Sequence, residues 1–303
     1  MRNLAMSSAI VSLCLGVACA ASKSGGPGSS AGGAGSSGGA GTSVGGSSGG
    51  SSGDTGGQTS GSGGATSFDG GASTGAAGLG GTANALGTIT GSPAIAQLLA
   101  LAKNCSTANQ IPNSHTYKLD NGMTTSICSL KGGAGNVGGA IYFTADMDID
   151  CDGLTTTHCP GTGADMDCCY QDETSFSGPN SASNEKGKEL ASENTPYVVV
   201  PQDVMYPGLD QNNGGNIVAV IYNNQLEFGV FGDQGPSDII GEASVRTANG
   251  LGIPPSPAQG GVGGGVTYIV FVGAGSQPAD MENIPEIQSL GAKLTESLLG
   301  NNR

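Results

Sequence analysis

Residues 218–233 read Val-Ala-Val-Ile-Tyr-Asn-Asn-Gln-Leu-Glu-Phe-Gly-Val-Phe-Gly-Asp. Two runs rich in β-branched and aromatic residues, 216–222 and 225–231, flank Asn223-Asn224, a two-residue link of the kind that tolerates positive φ. That is a β-hairpin. Working outward, the segments 124–130, 139–144, 197–201 and 266–272 are further short apolar runs bounded by Gly, Pro, Asn and Asp. Helical spacing appears three times. Residues 93–103 follow Ser92 as N-cap, with Pro93 at the first helical position. Residues 237–251 carry Ile240, Ala243 and Thr247, and 285–299 carry Ile287, Leu290, Leu294 and Leu298. The sum predicts a β-rich α+β domain, a small barrel or curled antiparallel or mixed sheet with two or three flanking helices.

The rest of the chain bounds where that domain lies. Of 303 residues 57 are Gly, and Gly and Ser crowd the first third, which lacks the apolar surface to offset its ordering entropy. Arg2, an apolar run over 4–17 and small residues at 18–21 resemble an export signal too short to span a bilayer. We therefore expect a signal over 1–21, a disordered Gly/Ser linker over 22–90 and one folded domain over 91–303. Cleavage before Cys19 would attach a lipid and tether the protein to a surface; cleavage after Ala20 would free it. Either way the location is extracellular. Export makes the six remaining cysteines, Cys105, Cys128, Cys151, Cys159, Cys168 and Cys169, disulfide candidates, since His115 and His158 are not at zinc-ligand spacing. Connectivity does not follow from spacing; Cys105 with Cys128 and Cys151 with Cys159 is one pairing that leaves the adjacent Cys168 and Cys169.

The formal net charge is −14, from 10 Lys and Arg against 24 Asp and Glu. Removing Arg2, Lys23, Asp54 and Asp69 leaves 22 acids against 8 bases in the domain. Such a field repels nucleic acid and anionic membranes and favours a cationic partner. The Gly runs neither follow a strand nor open a helix, so no phosphate cradle is present. Glu185, Lys186, Lys188 and Glu189 read as a solvated charged stretch.

Three places look chemical. Asp146, Asp148, Asp150 and Asp152 alternate along an extended segment, which puts four carboxylates on one side. Such crowding calls for a cation, for solvent, or for raised proton affinity. Asp148, Asp150, Asp152 and Gly153 match the opening of a calcium loop, but its twelfth position is Cys159 instead of Glu; on that reading the chain would be a calcium-dependent, surface-tethered polysaccharide-binding or structural module without catalysis. Otherwise no cofactor is expected. Acid–base chemistry needs two carboxylates in different environments. Asp150 with Glu173 is one such pair; Asp233 with Glu242, nine positions apart, is another. A turn cap at Asp233 and a solvated helix face at Glu242 are the plainer reading of the second.

Five blocks bear on that choice: ADMDIDCDG (145–153), TSF (174–176), PYVVV (196–200), VAVIYNNQLEFGVFGD (218–233) and GEAS (241–244). In this order, over about residues 100–271, they resemble the chitosanases of glycoside hydrolase family 75. The resemblance implies an endo-hydrolase of β-1,4-linked glucosamine polymer that inverts the anomeric carbon, with Asp233 and Glu242 as the acid–base pair and Asp150 with Glu173 in reserve; a monomer is expected. An acidic cleft suits a polycation. Substrate contacts are then expected from Asp146, Asp148, Asp150 and Asp152. Phe231 stands where the family usually carries Trp, and with no Trp in the chain, sugar stacking falls to residues such as Tyr142 and Phe231.

Overall fold

A computed structural model describes residues 78–111, 116–119, 121–133, 137–157, 159, 173–183 and 187–303. The expected signal, most of the linker, and Cys168 with Cys169 lie outside the described residues. Strand formation follows the apolar runs: β1 (Thr82–Ala83), β2 (Ile89–Thr90), β3 (Tyr117–Lys118), β4 (Thr124–Thr125), β5 (Cys128–Leu130), β6 (Gly139–Asp150), β7 (Tyr197–Pro201), β8 (Ile217–Tyr222), β9 (Gln225–Gly235), β10 (Glu242–Ser244) and β11 (Val262–Val272). The helices are α1 (Pro93–Leu101), α2 (Val245–Gly250) and α3 (Ile284–Asn301). Among the described residues no helix is long and apolar enough to cross a membrane.

Six strands close a barrel in the order β9, β7, β10, β6, β11, β8 and back to β9. Two of the pairings, β7 with β9 and β10 with β6, are parallel, and the other four are antiparallel. The β8–β9 hairpin turns at Asn223 and Asn224, with φ of 46° and 61°, the paired positive values that a tight turn between twisted strands requires. One apolar cluster draws residues from all six barrel strands, including Ile141, Val198, Val218, Phe231, Ala243 and Tyr268, and fills the interior. A second packs the outer wall, through Tyr142, Ala219, Phe228 and Phe271, against Ile95 and Leu98 of α1 and Ile287 and Leu298 of α3. Closure removes the sheet edges, so no row of backbone donors is left unpaired at the seam.

Two boundaries differ from expectation. Residues 78–90 belong to the fold: Leu79 and Ile89 are buried, and Ile89 pairs with Leu226 of β9. Average composition hides such anchors, because two well-placed apolar side chains among glycines suffice to dock a short segment. The predicted helix over 237–251 is instead β10 followed by α2. Ala243 pairs with Val198 and with Ile149, Gly241 has φ of 119°, and the Ser244 side chain caps α2 at Thr247 N.

Disulfides join Cys105 to Cys128 and Cys151 to Cys159. The first ties the segment after α1 to β5. The second closes a short loop directly beyond the end of β6, with Cys151 packed on Val245 of α2.

Candidate active site

Alternation along β6 sends Ile141, Phe143, Ala145 and Met147 inward and Asp146, Asp148 and Asp150 to the outer face. Asp148 pairs with Glu242 of β10 and Asp150 with Ser244. On the far side of β10 lies β7, where Val198 pairs with Ala243, so Val199 stands level with Glu242. Val199 in turn pairs with Asp233 of β9. Asp233, Val199, Glu242 and Asp148 therefore form one row across four adjacent strands, on the outer face.

That row depends on one extra residue. Phe231 pairs with Val198 but Asp233 pairs with Val199, so Gly232 is a β-bulge. Without it Asp233 would share the inward face of Phe231. A Cβ at Gly232 would stand 2.6 Å from Tyr197 Cβ and 2.7 Å from Leu190 Cδ1, so only glycine fits. Gly232→Ala is expected to cost roughly 1–3 kcal/mol of stability and to reduce activity by moving Asp233; thermal melts with kinetics on the same preparation check both.

Asp233 is buried, and one of its oxygens, Oδ1, accepts from the backbone N–H of Ser175 at 2.7 Å and of Gln234 at 2.8 Å. Glu242 Oε2 lies 3.5 Å from where a Cβ on Gly235 would be, which places this carboxylate alongside the end of β9. At the end of β6, the Asp152 N–H donates to Asp150 Oδ1 at 2.8 Å, while Asp150 Oδ2 is buried with no hydrogen-bond partner. Ser192 Oγ donates to Asp150 O at 2.5 Å and accepts from Val245 N at 2.9 Å, which pins β6 to α2. Carboxylate oxygens of Asp150, Asp152 and Asp233 all lie within 4.8 Å of one another. Burial, then the charges of Asp152, Asp233 and Glu242, push the Asp150 carboxyl well above the usual carboxylate range. A site with carboxyl groups in such unlike surroundings, one clasped by two amides and one short of compensation, is arranged for proton transfer.

The fungal chitosanases of glycosyl hydrolase group 75 match this chain over residues 147–299. The chain belongs to that family. Among curated relatives, endo-chitosanase C of Aspergillus oryzae is 28% identical over 206 residues, covering 64% of this chain and 50% of that protein. An endo-chitosanase of Aspergillus fumigatus is 30% identical over 186 residues, covering 54% of this chain and 75% of that protein. The chain thus spans about half the length of the endo-chitosanase C relatives.

Within this family-75 chain the described contacts bring Asp150 to Asp233, while Glu173 is exposed, two residues before Ser175. Among the described residues the acids whose carboxylates converge are Asp150, Asp152 and Asp233, two of which, Asp150 and Asp152, belong to the calcium-loop reading. Several expected substrate contacts are corrected. Phe231 is fully buried inside the barrel, edge-on to Phe176 with ring centroids 5.1 Å apart, and Tyr142 is buried with its hydroxyl accepting from Asn109 Nδ2 at 3.2 Å. Neither offers a ring face to a sugar. Asp146 is buried beneath Gly241, whereas Asp148, Asp150 and Asp152 are partly exposed. Glu189, expected in solvent, is buried. Sequence reasoning missed Gly232, Ser175, Ser192 and Ser244, whose roles are carried by backbone geometry or by single hydrogen bonds.

Proposed function

We propose that this chain is an exported endo-acting hydrolase that cleaves β-1,4 linkages of chitosan with inversion, Asp233 serving as base and Glu242 as acid. The observation that carries the reading is the row itself: the bulge at Gly232 turns Asp233 onto the face that holds Glu242, with only Val199 between them. Inverting glycosidases set their two carboxyl groups about 6.5–9.5 Å apart, to admit water beside the sugar. Glu242 reaches to the end of the strand that carries Asp233, its Oε2 lying 3.5 Å from the Cβ position of Gly235, two residues beyond Asp233.

The chemistry then follows from the surroundings. The ionised Asp233 carboxylate, its Oδ1 held by two amides, draws a proton from water as that water attacks the anomeric carbon. Glu242, in its protonated form, gives its proton to the departing glycosidic oxygen. The substrate supplies an ammonium group on every glucosamine unit, and the partly exposed residues Asp148, Asp150 and Asp152 offer charge-assisted partners for it. The acidic domain as a whole raises the local concentration of the polycation.

Proton NMR of the first product formed from a highly deacetylated glucosamine oligomer tests this reading. The new reducing end is expected as the α-anomer before mutarotation. A β-anomer appearing first would replace inversion with a covalent glycosyl-enzyme route.

A further inference from the structure

Asp233 is held from two directions, and only one belongs to its own strand. The Gln234 N–H is its chain neighbour, but the 2.7 Å bond from the Ser175 N–H comes from a loop 58 residues earlier. That loop is fastened on both sides of Ser175. Thr174 Oγ1 donates to Phe176 O at 3.0 Å and accepts from Leu190 N at 3.1 Å. The buried Phe176 ring meets Phe231 edge-on, 81° between planes, and Gly214 leaves space for that ring, since a Cβ there would sit 2.3 Å from it. Phe231 is two residues before Asp233 on the same strand. The loop is thereby anchored to the strand whose carboxylate it clasps, which fixes the Ser175 amide relative to Asp233. The Ser175 hydroxyl is a lesser participant; it is exposed and accepts from Gln234 N at 3.2 Å.

We propose that Ser175 is a positioning residue whose backbone N–H, set in place by Thr174 and Phe176, orients the Asp233 carboxylate and sustains its charge for water activation. The inference rests on the reading of Asp233 as base. The groups facing this carboxylate from the end of β6 and from β7 are two further acids, Asp150 and Asp152, and the Tyr197 phenol. Each amide donor therefore offsets part of a crowding of negative charge.

The test uses the full oxidised chain. Ser175→Ala keeps the N–H and is the reference against which the loss of that N–H is read. Ser175→Pro removes the N–H, and Thr174→Val loosens the loop. Each is expected to lower kcat on chitosan about tenfold or more, as for a lost hydrogen bond to a charged group, with KM within about twofold and the acid limb of the pH–rate profile moved to higher pH. Independently of activity, the Ser175 amide proton is expected downfield in wild type and displaced upfield in Asp233→Asn. A folded Ser175→Pro with wild-type kcat and acid limb would overturn the proposal, as would a Ser175 amide that ignores Asp233→Asn. If Ser175→Pro fails to fold, Thr174→Val and the amide signal decide. A wild type inactive on chitosan refutes the hydrolase reading alone, and the amide signal still decides the clasp.

Discussion

Asp233→Asn and Glu242→Gln are each expected to lower kcat on chitosan about 10³-fold or more while leaving polymer binding intact, because each removes a proton-transfer group without changing its shape. The double variant is expected to be little worse than either single one, since the proposed mechanism uses both groups in one step. Asp150→Asn should behave differently. It relieves crowding among Asp150, Asp152 and Asp233 and removes one acidic group beside the substrate, so the expected effect falls mainly on KM. Steady-state kinetics with an equilibrium binding measurement on the same variants separates these outcomes. Loss of binding in Asp233→Asn would mean that this carboxylate holds substrate instead of activating water.

The second large effect lies away from the site. Glu227 of β9 is fully buried and paired with Arg246 of α2 at 3.0 Å. Thr88 Oγ1 donates to Glu227 Oε2 at 2.5 Å, and Arg246 also donates to Leu86 O. This cluster joins the N-terminal segment, the strand that carries Asp233 and the helix that follows Glu242. Burial pushes the Glu227 carboxyl up to about 7, against the opposing pull of Arg246 and Thr88. Because the folded value exceeds the ordinary 4.5, proton binding favours the folded state. That contribution is complete below about pH 4.5 and is lost as pH rises through about 7.

Arg246→Met strands the carboxylate without its cation, at an expected cost of about 3–5 kcal/mol near pH 8, or about 10 °C in Tm for a domain of this size. Near pH 5 the loss should be smaller, since a protonated Glu227 no longer needs Arg246. Glu227→Gln should flatten the pH dependence of Tm across the same window. Calorimetry at the two pH values checks the sign; an equal loss at both would show that Arg246 acts through packing alone.

Much of the barrel was legible because its strands are short apolar runs bounded by turn residues and its hairpin carries Asn223-Asn224, whose positive φ the structure bears out. The extent of β6 and β9 was not. Both strands run on into their acidic ends, through Asp150 and Asp233, where pairing with neighbours outweighs the low strand propensity of Asp. Glu242 was misplaced onto a helix because Ile240, Ala243 and Thr247 fit a helical period by coincidence, while the pairing of Ala243 on both sides is non-local and leaves no periodic trace. Phe231 and Asp233 share a parity, so simple alternation puts both on one face. One inserted glycine separates them, and no pattern of apolar residues announces a one-residue bulge. The proposed acid pair, Asp233 and Glu242, is singled out by short blocks in a specific order rather than by periodicity, since which strands become neighbours leaves no local pattern in the sequence.

The most direct measurement follows viscosity and reducing-end release together on highly deacetylated soluble chitosan, with the oxidised full chain and its Asp233→Asn and Glu242→Gln variants, from about pH 4 to 8, where carboxylate pairs titrate. The row of Asp233 and Glu242 predicts an early fall in viscosity for wild type, ahead of reducing-end release, and near silence from both variants. A wild type that binds the polymer but breaks no bond at any of these pH values, or variants that cleave as fast as wild type, would contradict it.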